Sequence, residues 1–178
     1  AYIAKQPMFF VATAAADGRV NMSPKGLDSL RITSPTEIIW LSMSGSGNET
    51  AAHVLQSSRM TLMFCAFEGD AFTLRVYGKA DVFHHRDAEW ANLIQQFPVY
   101  GGARNIFRLT IDLVTTSCGS GVPEMKLIRP RAETEMEPWY AKMTDKQMQD
   151  FWQRKNTYSL DGFPTRLLSD DPKSAPET

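Results

Sequence analysis

The segment Ser44-Gly45-Ser46-Gly47-Asn48-Glu49-Thr50 joins small residues, hydroxyls and unhindered backbone N–H groups to the start of a helix. A helix N-terminus carries roughly half a positive charge, so this is chemistry suited to an anion, and to a phosphate in particular. It is not a Walker loop, because no Gly-Lys-Ser/Thr closes it. It also fails the dinucleotide fingerprint, whose third Gly position holds Thr50. The same residues equally describe a glycine-rich turn that only caps a helix. A phosphate monoester carries nearly two negative charges, more than a helix dipole neutralises, so a site here needs a cation brought from elsewhere. Lys25, in Ser23-Pro24-Lys25-Gly26, is the first candidate: Pro24 ends pairing on a strand edge and Gly26 permits close approach. Arg75 is the second. Each also reads as a solvated surface charge.

Other chemistries lack their residues. His84 and His85 are adjacent, so on a strand they point to opposite faces and do not share a metal. With His53 they are the three histidines, and no H-E-x-x-H pattern accompanies them. There is no G-x-S-x-G elbow and no spacing that marks a Ser-His-Asp triad. The two cysteines, Cys65 and Cys118, stand far apart. Cys65, within Leu62-Met63-Phe64-Cys65-Ala66-Phe67, reads as a small buried hydrophobe, while Cys118 sits among Gly119, Ser120 and Gly121 and is open to exposure. The absence of a protein nucleophile fits an enzyme whose cofactor carries the chemistry, and fits a protein with no catalysis at all.

These residues have to be positioned by strands that arrive in hairpins. Met8-Phe9-Phe10-Val11-Ala12-Thr13 is β-rich, Asp17-Gly18 supplies a turn, and residues 20–25 return. After Ser34-Pro35 a third strand runs over 36–43 and breaks at Ser44-Gly45. Ser46 and Glu49 make a capping-box pattern for a helix carrying Ala51, Ala52, Val54 and Leu55. Residues 59–67 and 72–83 form a second hairpin, and 106–116 alternates as a sixth strand. Asp87 is placed to cap a helix with Trp90, Leu93, Ile94 and Phe97 on one face, read as core. Residues 119–138 read as an ordered loop, and Thr144 with Gln147 caps a late helix bearing Met148, Phe151 and Trp152. Six strands with few helices predict a mainly β, antiparallel barrel as one domain over residues 1–169, with a flexible C-terminal tail over 170–178.

The totals narrow the partners. Lys plus Arg number 19 against 20 Asp plus Glu, a net charge of -1, which builds no positive field for nucleic acid. The longest apolar stretches, residues 8–16 and 60–67, fall well short of the ~20 residues that cross a bilayer, so no membrane partner is expected. No leader-like segment opens the chain, Ala1 is read as a trimmed start, and a cytoplasmic setting is the expectation.

Taken together, several segments resemble the pyridoxamine 5′-phosphate oxidase-related FMN-binding family along nearly the whole chain. They are Lys5-Gln6-Pro7-Met8-Phe9-Phe10-Val11-Ala12-Thr13-Ala14, Gly18-Arg19-Val20-Asn21-Met22-Ser23-Pro24-Lys25-Gly26 and Gly45-Ser46-Gly47-Asn48-Glu49-Thr50-Ala51-Ala52-His53. Leu74-Arg75-Val76-Tyr77-Gly78-Lys79-Ala80, Ser117-Cys118-Gly119-Ser120-Gly121-Val122-Pro123 and Ser159-Leu160-Asp161-Gly162-Phe163-Pro164 follow in order. The resemblance implies a six-stranded split barrel, a homodimer, and FMN bound at the subunit interface. It implies that Ser23 and Lys25 hold the phosphate and ribityl chain, that Asn48, Glu49 and Thr50 complete the phosphate site, and that Thr73 faces the flavin with Arg75 close by. With Pro24, Gly26 and Ser46 from the two loops, these are the expected cofactor-binding residues. The vitamin oxidases usually place an Arg-Lys pair where Glu49-Thr50 stands, and their C-terminal arginine–histidine signature is absent from Pro164-Thr165-Arg166-Leu167-Leu168. Pyridoxamine 5′-phosphate is therefore not the expected substrate. An FMN-dependent oxidoreductase acting on a small-molecule electron donor or acceptor is the leading expectation. A non-catalytic flavin sensor, or a barrel holding deazaflavin or haem, is the alternative.

Overall fold

The computed structural model describes residues 2–169, so the tail expected over 170–178 lies outside the described residues. Strand β1 (Met8–Thr13) buries Phe9, Val11 and Thr13, the alternate residues that a one-sided strand must bury. The chain turns at Gly18, whose positive φ of 86° is open to glycine at little cost, and returns as β2 (Asn21–Gly26). Pairing sets Phe9 opposite Lys25, Val11 opposite Ser23 and Thr13 opposite Asn21. Directly opposed residues share a face. Asn21, Ser23 and Lys25 therefore point with the core side chains, while Met22 and Pro24 point away.

Two strands form the next hairpin, β3 (Leu30–Ser34) and β4 (Glu37–Met43). The sequence reading counts six strands, and β3 is a seventh. It is a five-residue edge strand with no fully buried position, so it lacks the apolar alternation that marks a half-buried strand. Helix α1 (Glu49–Gln56), then β5 (Arg59–Cys65), β6 (Phe72–Phe83), helix α2 (Trp90–Ile94) and β7 (Ala103–Cys118) follow. The sheet is antiparallel throughout, in the order β2-β1-β5-β6-β7-β4-β3. Strands far apart in that order meet, since the rings of Phe9 on β1 and Trp40 on β4 lie 6.1 Å apart. The sheet is thus curled into the expected split barrel. Its interior holds Phe9, Val11, Trp40, Leu62, Phe64, Val76, Phe107 and Leu109, and α1 adds Ala51 and Val54 to that cluster. Each large apolar side chain buried there stabilises the fold by about 1.5–3 kcal/mol.

On the outside of β4, β6 and β7, Ile39, Leu41, Phe83 and Ile106 form a second cluster with Phe97, against which Trp90, Leu93 and Ile94 pack. The apolar stripe of α2 is core, as read. Its expected cap is not formed: Asp87 accepts the backbone N–H of His84 at 2.7 Å, and α2 begins three residues later.

Beyond β7, part of the segment read as loop is helical. A π-helical turn (Ala132–Met136) runs into α3 (Glu137–Ala141), with Pro138 in the first turn, where its missing N–H costs little. Helix α4 (Asp145–Lys155) carries the capping box read from Thr144 and Gln147, with both reciprocal bonds made. Thr144→Ala is expected to lower stability by about 1 kcal/mol in chemical unfolding, and an unchanged midpoint would mean that α4 does not depend on this cap. No helix among the described residues is long and apolar enough to cross a membrane.

Candidate functional site

Lys25 occupies an interior-facing position on β2, a place usually reserved for apolar side chains. Its Nζ lies 5.7 Å from the centroid of the Trp40 ring. No carboxylate forms an ion pair with it among the described residues. Burial, together with the nearby guanidinium of Arg104, lowers its pKa to about 8.

Arg104 was not singled out from the sequence. Within the β4–β7 ladder Ser42 pairs with Asn105 and Met43 with Ala103, so Arg104 is the extra residue of a bulge. A bulge re-aims a side chain, and here it folds a guanidinium inward to 4% exposure. Arg104 donates to Gly47 O at 2.8 Å, to Asn105 Oδ1 at 3.1 Å and to Ser42 Oγ at 3.3 Å. These partners are neutral, and burial lowers its pKa to about 10. Lys25 and Arg104 are thus two desolvated cations in mutual repulsion with no acidic partner. An arrangement of that kind is costly unless an anion joins it.

The Gly47 carbonyl ties Arg104 to the loop between β4 and α1. Among the described residues the backbone N–H groups of residues 46–50 have no acceptor. Ser46 is exposed, whereas Asn48 and Thr50 are buried. The capping box read from Ser46 and Glu49 is not formed: Asn48 is the N-cap and makes no side-chain capping bond. Instead, both carboxylate oxygens of Glu49 accept the Leu160 N–H at 3.0 Å. That long-range partner left the loop's own donors open. Behind the loop, Ser23 donates to Asn21 Oδ1 at 3.0 Å, and Asn21 Nδ2 donates to Thr50 Oγ1 at 3.2 Å. β2 and the start of α1 are therefore one hydrogen-bonded unit. Pro24 is exposed on the opposite face of β2 and does not end the pairing as expected: β2 is an edge strand, where a proline is tolerated, and the ladder runs on through Lys25 to Gly26.

The C-terminal segment braces the same loop. Asn156 Nδ2 donates to Gly45 O at 2.8 Å, Trp152 Nε1 to Ser44 Oγ at 2.8 Å, and the buried Tyr140 hydroxyl to Ser44 O. Burial raises the Tyr140 pKa to about 12, so the phenol stays protonated and donates. Gly102 leaves room for the ring, since any Cβ there would overlap it. Tyr140→Phe strands the Ser44 carbonyl and is expected to cost about 1–3 kcal/mol, read by thermal unfolding. A variant as stable as the parent would show that this brace is dispensable.

Thr73 and Arg75 lie elsewhere. They alternate with Leu74 and Val76, which face the core, and so occupy the other face of β6. Arg75 donates to Ser117 Oγ at 3.0 Å, and Thr73 is buried opposite Ser117 and Cys65. One chain brings Ser23, Lys25, Asn48, Glu49 and Thr50 together and leaves Thr73 and Arg75 on the reverse of the sheet. Cys118 is exposed at the end of β7, where hydrogen bonding from Ser120 holds its thiol below the ordinary pKa.

Against known proteins, the pyridoxamine 5′-phosphate oxidase family model matches residues 1–118. UstO of Aspergillus flavus, a pyridoxamine 5′-phosphate oxidase family protein, is 31% identical over 176 residues, covering 90% of this chain and 71% of that protein. Among solved structures, HupZ of Group A Streptococcus superposes with a TM-score of 0.52 at 16% identity, over 70% of this chain and 94% of that chain. A point variant of HupZ gives a TM-score of 0.52 at 18% identity over 65% of this chain and 93% of that chain. At such identities the two HupZ structures speak to the fold alone.

Proposed function

Since this chain belongs to the pyridoxamine 5′-phosphate oxidase family, we propose that it is an FMN-binding flavoprotein working as an oxidoreductase on a small molecule. The observation that carries this reading is the pairing of the half-buried Lys25 with the buried Arg104, without an acidic counter-charge among the described residues and beside a loop whose N–H groups lack acceptors there. A phosphate monoester supplies the missing charge and the missing acceptors together. Lys25 and Arg104 neutralise it, the N–H groups of residues 46–50 donate to it, and Ser23 with Thr50 flanks the chain that leads away from it.

When bound, FMN supplies hydride and single-electron chemistry that no side chain here offers. The chain's own residues bind, orient and exclude water, and Glu49 works from a distance by fixing the turn around Leu160 against α1. Haem is the poorer fit: His53 and His84 are buried, and the Nε2 of His85 lies 3.0 Å from Ala103 O. Thr73 and Arg75 would meet the same ligand from a second copy, whose approach is favoured by the exposed Met22 and Leu113 on the outer side of the sheet.

An absorbance spectrum of the purified protein, followed by titration of the stripped protein with FMN during sedimentation, tests this. Flavin bands, saturable binding and a dimeric mass are the expected result; no FMN binding would overturn it. Sustained donor oxidation by the holoprotein separates an oxidoreductase from a flavin sensor, which would show photoreduction only.

A further inference from the structure

We infer that the Lys25 amine is carbonyl-reactive: in the cofactor-free protein it condenses with a phosphorylated aldehyde whose phosphate occupies the anion site beside Arg104. The inference rests on the anion site proposed above and adds a covalent reaction to it.

Three features of the surroundings make the amine a nucleophile. It stands on an interior position of β2, across the ladder from Phe9 of β1 and over the face of Trp40 on β4, so its charged form is poorly hydrated. The group facing it from β7 is Arg104, a cation, and no carboxylate pairs with it among the described residues. Desolvation plus a neighbouring cation is the arrangement that turns lysine into a Schiff-base former. The position also remains partly open, so a small carbonyl compound reaches it. With the pKa lowered to about 8, the neutral amine at pH 7 is about 300-fold more populated than for an ordinary lysine at 10.5. A less basic amine is also a weaker nucleophile, and a Brønsted slope of about 0.4–0.5, as thiols show, returns about tenfold of that gain. A rate advantage of about 20-fold over surface lysines remains for the anion-free amine; a phosphate bound beside it favours the ammonium and returns part of that gain, which holding the aldehyde next to the amine offsets.

In the reaction the amine adds to the aldehyde carbon, a C–N bond forms, and the carbonyl oxygen leaves as water, giving an imine. Protonated, the imine keeps a positive charge at position 25, so the phosphate keeps its counter-charge. A hydride from cyanoborohydride and a proton then convert C=N to a stable C–N bond. The phosphate end is held by Arg104 and the N–H groups of residues 46–50, which makes the phosphorylated aldehyde the preferred class.

The test labels the stripped full chain with glyceraldehyde 3-phosphate and cyanoborohydride at pH 7, and maps adducts by mass spectrometry. Lys25 is expected to react about 20-fold faster than the exposed Lys126 and Lys146, and at least about tenfold faster than with unphosphorylated glyceraldehyde. Lys25→Arg keeps the cation and should lose that adduct alone. Labelling spread evenly over the lysines, or equal rates with and without the phosphate, would overturn the inference. Saturating FMN should block the Lys25 adduct. A Lys25 adduct that FMN leaves untouched would uphold the reactive amine and overturn the FMN reading.

Discussion

Lys25→Met is expected to raise the unfolding midpoint of the cofactor-free protein and, with FMN as the proposed ligand, to weaken FMN binding by about 100-fold. The binding loss follows from removing a charged donor to phosphate, worth about 1.5–3 kcal/mol. The gain in stability follows from the cost of the buried cation, since methionine fills the same space over Trp40 without a charge to desolvate or a repulsion from Arg104. The two effects part with pH. The folded-state pKa of Lys25, about 8, lies below its unfolded value of 10.5, so between them the unfolded chain binds more protons and stability rises with pH. Arg104 and Tyr140 titrate at about 10 and above, and the lowered Cys118 thiol is common to parent and variant, which leaves pH 8 to 9 as the window in which the difference between the two proteins reads Lys25. Across it the stability advantage of Lys25→Met over the parent should shrink. FMN affinity of the parent should fall over the same range, because the amine must take up a proton to hold the phosphate. Denaturant midpoints and FMN titrations at pH 7, 8 and 9 give both curves. A Lys25→Met protein less stable than its parent at pH 7 would place the lysine in a favourable contact and undo the argument.

Much of this was legible in the sequence where the cause is local. Interior placement of Ser23 and Lys25 follows from alternation on β2 once the Asp17-Gly18 turn fixes its register, and the Thr144–Gln147 cap lies within one helical turn. What escaped depends on residues far apart in the chain. Ser46 and Glu49 have capping-box spacing, yet Glu49 is drawn to Leu160, 111 residues away. Arg104 and Asn105 both face the interior because a bulge interrupts the two-residue period, and no pattern in the sequence around them marks that bulge. Strand β3 escaped because its side chains bury nothing completely. Thr73 and Arg75 share a strand with core residues, and only the parity set by Leu74 and Val76 shows that they look outward.

Arg104→Met should prove as damaging to FMN binding as the loss of Lys25, about 100-fold, for a residue outside every recognisable motif. Two losses combine: a charge on the phosphate, and the donor that ties Gly47 O to β7 and so shapes the loop whose N–H groups bind. Arg104→Lys restores the charge but, with a single ammonium, cannot span Gly47 O, Ser42 Oγ and Asn105 Oδ1, so it should recover only part of the affinity. A general loosening of the barrel would also weaken binding, and the pH profile separates the two causes. Arg104 is one of the two influences holding the Lys25 amine down to about 8. Removing it lets that amine bind its proton more tightly, so the pH at which FMN affinity begins to fall should move upward in Arg104→Met and stay near 8 in Arg104→Lys. Weak binding with the inflection unmoved would mean that Arg104 only supports the loop. An upward shift would mean that the two cations face one anion.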